Sequence, residues 1–283
     1  MRKRILILAG VLFLSACATG FKQTENVLES SPHIPPSMVL KNTPFVNQEE
    51  GYCGPAVLTM ALRSAGHEIS VNELVPQVYI PGRKGSLQQD MISATRRHGH
   101  MAVPLDDLSA ILQEVASGHP VIVFQNLGLS WYPRWHYALV VGYDLEEERL
   151  VMHSGPNAFE TKSMRRFELS WELANYWALV VLPPDELAAT ADDLAHLRAA
   201  AGLEQASQFN EAERAYKAIL KRWPESLGAL IGLGNIAFRE RRTTKAVEYL
   251  RRAVKAHPSS KAAHHNLAVA EKAADAGARK RKR

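Results

Sequence analysis

Apolar and polar positions change period more than once along this chain. From Pro55 to Ala65 the residues are apolar or small helix formers, with Pro near the start and Gly66 just past the end, which predicts a helix over about 55–65. Ser70 and Glu73 make a capping box that opens a second, short helix at Leu74. Pro81-Gly82-Arg83-Lys84-Gly85 reads as a loop, and Ser86 as the cap of a helix through Leu87, Met91 and Ala94 that ends near Gly99. Asp106 or Asp107 opens a further helix through Leu108, Ile111, Leu112 and Val115, closed by Gly118. β-Branched runs then take over. Strands are predicted at Pro120–Phe124, Trp135–Tyr143, Arg149–His153 and Trp177–Leu182. The acidic turn after Asp144 makes a hairpin of the second and third, and Gly155-Pro156 breaks the third. Arg165 and Arg166 lead into Phe167-Glu168-Leu169. Helices followed by an antiparallel sheet predict an α+β domain.

Past Pro184 the composition shifts to Ala, Leu, Glu, Lys and Arg without strand signals, and a period of 34 residues emerges. Ala212 recurs as Ala246, Tyr216 as Leu250 and Pro224 as Pro258, while Leu233-Gly234 recurs as Leu267-Ala268. This pattern resembles the tetratricopeptide repeat over roughly 190–275, in two units and a half. The resemblance implies stacked helix pairs that present a concave peptide-binding face.

The N-terminus changes the setting. Arg2-Lys3-Arg4 precedes an apolar run, Ile5 to Leu14, too short to span a bilayer as a mature helix. The run closes on Leu14-Ser15-Ala16-Cys17, which resembles the lipobox of bacterial lipoproteins. That resemblance implies removal of residues 1–16 and acylation of Cys17 as a membrane anchor; Ala18 after it favours the outer membrane. Residues 17–41, polar and rich in proline without periodicity, read as a lipidated tether. The 46% apolar and 22% charged fractions are ordinary for a globular protein. The formal charge of +5 comes from the two ends, and without Arg2-Lys3-Arg4 and the basic tail at 276–283 the body carries −3, which speaks against nucleic acid as a partner.

The chain has 2 cysteines. If lipidation takes Cys17, Cys53 is an unpaired thiol in an oxidising compartment. Cys53 lies at the start of the first predicted helix, where free N–H groups and the helix dipole favour a thiolate. Gln48, five residues upstream, could aim an amide donor at the same point. The segment alone fits equally a small buried hydrophobe beside a loop residue; the cysteine count favours a nucleophile. A cysteine nucleophile needs a base. Of 11 histidines, His136 stands apart, opening a long apolar strand between Trp135 and Tyr137. The aromatic stretch Trp131 to Trp135 before it reads either as a substrate-contacting cleft wall or as a plug at a domain edge.

Gln48-x4-Cys53-Gly54-Pro55-Ala56 followed by His136-Tyr137-Ala138-Leu139-Val140-Val141-Gly142-Tyr143-Asp144 resembles papain-like cysteine peptidases, nearest to the branch that trims double-glycine leader peptides from bacteriocins. The resemblance covers about 42–182. It implies Cys53 as nucleophile, His136 as base and Gln48 as oxyanion donor. That branch places an Asp-Pro after the next strand, its carboxylate orienting the imidazole. This chain has His153-Ser154-Gly155-Pro156 there, so Ser154 or a backbone carbonyl would take that role; Asp144, at the far end of the strand, is the poorer candidate.

The expected organisation is a signal peptide at 1–16, a tether at 17–41, a papain-like peptidase domain at 42–184, tetratricopeptide repeats at 190–275 and a basic tail. The expected activity is hydrolysis of peptide bonds through a Cys53 thioester, without metal or cofactor, on a peptide or protein substrate. The repeats would deliver substrate or dock a protein partner. Two rivals stand: a catalytically weak scaffold organising an envelope complex, and the same chemistry directed at peptidoglycan cross-links.

Overall fold

The computed structural model of the chain describes residues 20–30, 33–48 and 51–281; the signal segment and Cys17 lie outside them. The stretch read as a tether is, where described, folded onto the domain. It forms helix α1 (Lys22–Ser30) and strand β1 (Ser37–Val39). The buried Glu168 carboxylate accepts the N–H groups of Gln23 at 2.9 Å and Thr24 at 2.8 Å, so a negative charge sits on the helix N-terminus. Gln23 in turn accepts the N–H of Leu108 at 2.6 Å and donates to the Asp106 carbonyl at 3.1 Å. Only Val27 gives this helix a fully buried apolar side chain. An apolar stripe was absent from the sequence because the docking is polar and depends on residues more than 80 positions away.

Helix α2 (Cys53–Ser64) starts two residues before the predicted Pro55, making Cys53 its first residue. Helix α3 (Val71–Val78) carries the expected capping box. Strands β2 (Tyr79–Ile80) and β3 (Gly85–Ser86) make a small ribbon, and helix α4 (Gln88–Arg97) follows from Leu87. Ser86 is therefore not the cap it was read as: its backbone pairs with Tyr79 and its carbonyl accepts the Tyr137 hydroxyl at 3.2 Å. Strand β4 (Met101–Leu105) leads to helix α5 (Leu108–Ala116), whose N-cap is Asp107, accepting the Ala110 N–H at 2.8 Å. Then come β5 (Val121–Asn126), β6 (Trp135–Asp144), β7 (Arg149–Ser154), β8 (Asn157–Ser163), helix α6 (Met164–Glu172) and β9 (Ala178–Leu182).

The strands form an antiparallel sheet in the order β4-β9-β5-β6-β7-β8, with β1 pairing the far end of β6. Both faces of its centre are buried, which is why its strands read as continuous apolar runs. On one face Tyr137, Leu139 and Val141 pack with Val57, Leu58 and Leu62 of α2 and with α3 and α4. On the other, Ala138 and Val140 pack with α5, α6 and Val27.

The repeats follow as α7 (Asp193–Gln205), α8 (Phe209–Arg222), α9 (Leu227–Arg239), α10 (Thr243–Ala256) and α11 (Lys261–Arg281); the last extends into the residues read as a basic tail. A Cβ on Gly232 would lie 2.5 Å from the Tyr216 ring, and one on Gly234 2.6 Å from Leu250, so the small residues of the repeat are where helices approach. Ala199, Ala200 and Leu203 of α7 belong to the same buried cluster as Met101 and Val103 of edge strand β4. Gln208 donates to the Arg97 carbonyl at 2.7 Å. The linker is held as well: Glu114, fully buried, accepts both the N–H and the hydroxyl of Thr190 at 3.0 Å.

Gly142 tests the docking of β1, because a Cβ there would stand 2.6 Å from the Met38 carbonyl oxygen. Gly142→Ala is expected to lower stability by about 1–3 kcal/mol, as overpacking does. Urea unfolding measures the loss, and hydrogen exchange at Leu40, whose N–H donates to Val141, locates it.

Candidate active site

Cys53 sits at the N-terminus of α2 because Gly51, at φ 84°, turns the chain into the helix. The backbone N–H groups of Tyr137, Gly54 and Cys53 itself lie near its sulfur and favour the thiolate. Tyr137 follows His136 on β6, so the sulfur lies within one residue of the histidine backbone. The two candidates that were 83 positions apart in the chain meet at one end of the sheet. Among the described residues, no hydrogen bond joins the sulfur to the imidazole ring.

His136 is held from its other side. Its Nε2 lies 3.1 Å from Ser154 Oγ, the uncharged side chain expected as one stand-in for the orienting acid. No carboxylate contacts the ring among the described residues. Asp144 is at the opposite end of the ten-residue strand, accepting the Glu147 N–H at 3.0 Å in the β6–β7 turn.

The electrostatics differ from the expected thiolate. Burial pushes the Cys53 thiol above its ordinary value, and the three N–H groups offset this only in part. Burial, with the cations of Lys162 and Arg134 nearby, pushes His136 down to about 4. The resting pair is thus a neutral thiol beside a neutral imidazole.

Gln48 is buried, and its backbone N–H donates to the Gly155 carbonyl at 3.3 Å. Among the described residues, neither polar atom of its buried side-chain amide has a hydrogen-bond partner. Such an orphan is costly unless something fills its place.

His153, overlooked in the sequence, organises this corner. It is fully buried between the edges of Phe45 and Phe159. Its Nδ1 accepts the Phe159 N–H at 3.1 Å, so the ring hydrogen is on Nε2, which faces the Thr43 carbonyl at 3.4 Å. The ring ties the segment carrying Gln48 to the hairpin carrying Ser154. Its inward place in β7, beside Met152, was the available signal.

Trp135 stacks on Phe124 with centroids 5.2 Å apart, and Phe124 packs on Tyr137 at 4.5 Å. Trp131 lies at the tip of the β5–β6 connection, next to Tyr132.

Comparison with known proteins agrees with this architecture. Residues 40–179 match the Peptidase_C39 like family and residues 197–261 match the tetratricopeptide repeat. No curated protein matches the chain. Among solved structures, a C39-like peptidase from Bacillus anthracis is similar at 16% identity and a TM-score of 0.44, over 52% of this chain and 97% of that one. The peptidase domain of Streptococcus ComA, a bi-functional ABC transporter involved in quorum sensing, is similar at 20% identity and a TM-score of 0.41, over 50% and 99%. Residues 40–179 are thus similar to the Peptidase_C39 like family and residues 197–261 to the tetratricopeptide repeat.

Proposed function

We propose that this protein is an exported, lipid-anchored cysteine peptidase that hydrolyses peptide bonds through a thioester on Cys53. The observation that carries the reading is the Cys53 thiol on the first residue of α2, near the backbone N–H of Tyr137 and so next in the strand to a histidine held at its far nitrogen by Ser154. The anchoring and export rest on the Leu14-Ser15-Ala16-Cys17 sequence.

In this mechanism Nε2 of His136 keeps its hydrogen toward Ser154 Oγ, leaving Nδ1 to take the thiol proton. The sulfur attacks the substrate carbonyl carbon, and the carbonyl electron pair moves to oxygen. The Cys53 N–H and the unpartnered Gln48 amide offer hydrogen bonds to that oxyanion. Collapse breaks the C–N bond, His136 protonates the departing amine, and a thioester remains. Water then attacks the thioester with His136 as base, releasing the acid and restoring the thiol. The repeats bring substrate or a protein partner to the domain.

Because the base is neutral only above its pKa, hydrolysis rises as pH increases through about 4, rather than through the ordinary histidine value of 6.5. A kcat/KM profile on a fluorogenic peptide mixture is the check. Cys53→Ala abolishes turnover; turnover that survives it removes Cys53 as the nucleophile, and a wild type without turnover points to the scaffold reading. Alkylation of Cys53 by iodoacetamide in the resting protein lags behind free cysteine at neutral and mildly alkaline pH, since burial holds the proton on sulfur.

Ser154→Asp would place a carboxylate on Nε2 and favour the imidazolium. It is expected to move the acid limb upward and raise kcat/KM by about tenfold to hundredfold, part of the roughly 10⁴-fold an orienting acid is worth in serine enzymes. An unchanged limb would show that Ser154 does not govern the ring.

A further inference from the structure

The connection between β5 and β6 displays apolar surface that a monomer ordinarily hides. Leu129 is 54% exposed, Trp131 78% and Tyr132 67%, with Trp135 53% exposed at its base. This hairpin is rigidly built. Leu129 and Tyr132 exchange backbone hydrogen bonds at 3.1 Å, and the Leu127 N–H donates to the Arg134 carbonyl at 2.8 Å. The buried Asn126 accepts the N–H groups of Gly128 at 2.9 Å and Arg134 at 2.8 Å, and its Nδ2 donates to the Leu129 carbonyl at 3.2 Å. A Cβ on Gly128 would stand 2.3 Å from the Tyr132 carbonyl oxygen, so the two limbs are in close contact.

Its place relative to the reacting groups is defined by strand order. Across this end of the sheet come the hairpin after β5, His136 on β6, then Ser154 and Gly155 on the far side with Gln48 bonded to Gly155. The hairpin and the oxyanion donor thus flank His136 from opposite sides. The exposed hairpin base, Trp135, stacks on the buried Phe124, which packs on the buried Tyr137 beside His136, so the hairpin is anchored in the core next to the histidine. His136 protonates the departing amine, so the half of the substrate bearing that amine leaves on the histidine side.

We propose that the hairpin is the specificity element for the leaving half of the substrate, taking large apolar or aromatic side chains just C-terminal to the cleaved bond. This rests on the peptidase reading above. Its occupant is a polypeptide segment because the exposed hairpin residues lie at the end of β6 that carries His136, which protonates the departing amine.

The test uses the full chain and paired fluorescence-quenched peptides with the same acyl half and a leaving half beginning Phe-Leu-Phe or Ser-Asn-Ser. The wild type is expected to favour the apolar leaving half by tenfold or more in kcat/KM. Trp131→Ser with Tyr132→Ser brings that ratio to near one, while Tyr132→Phe keeps it. Lack of preference in the wild type, or a preference that survives the double serine variant, overturns the proposal. So does a double variant that keeps the ratio but loses binding to phosphatidylglycerol-containing vesicles, which would make the hairpin a membrane contact. Anisotropy of a labelled Phe-Leu-Phe peptide on the Cys53→Ala chain separates the two readings. Hairpin-dependent binding without wild-type turnover removes the catalytic reading and keeps the hairpin, and no binding removes the hairpin.

Discussion

Burial of both faces of β6 is the constraint on which the rest depends. The strand pairs with β5, β7 and β1, and its alternate side chains enter two separate cores. Tyr137, Leu139 and Val141 fix α2 against one face, and with it the position of its first turn. That packing brings the Cys53 sulfur near the backbone of Tyr137. At the other end of the strand, the absence of a side chain at Gly142 lets β1 approach. The site is thus assembled by packing, with few polar contacts of its own.

That economy has an electrostatic side. Apolar walls that position the thiol and the imidazole also disfavour charge on both. A carboxylate behind the ring would counter this; Ser154 offers a neutral oxygen instead, and Lys162 and Arg134 push in the same direction as burial. His153 supplies rigidity rather than charge, since its single tautomer is set by two backbone partners. Packing therefore holds the geometry of the pair, and both groups rest uncharged.

Much of this was legible in the sequence, and what was not has physical reasons. The long apolar runs of β5, β6 and β9 announced a buried sheet, and the 34-residue period announced the repeats, because both signals are local. Strand β4 was lost to Pro104, which an edge strand tolerates with its N–H side unpaired. Strand β8 is exposed at nearly every residue, so it shows no alternation. Helix α1 is held by Glu168, a partner that no window around residue 25 contains. For the site, Cys53 and His136 stood out by type and context. The ionisation of the pair did not, because the helix N-terminus is visible in a sequence and the depth of burial is not.

The sharing of one core between α7 and strand β4 carries a consequence for how the two halves persist. Cutting the chain after Pro184 would strip the cover from Met101 and Val103 and bare the backbone of an outer strand, an invitation to stick to other copies. The repeats are in that sense a wall of the house rather than a detachable porch. A protein seated on them would press on a helix that shares its buried cluster with the sheet.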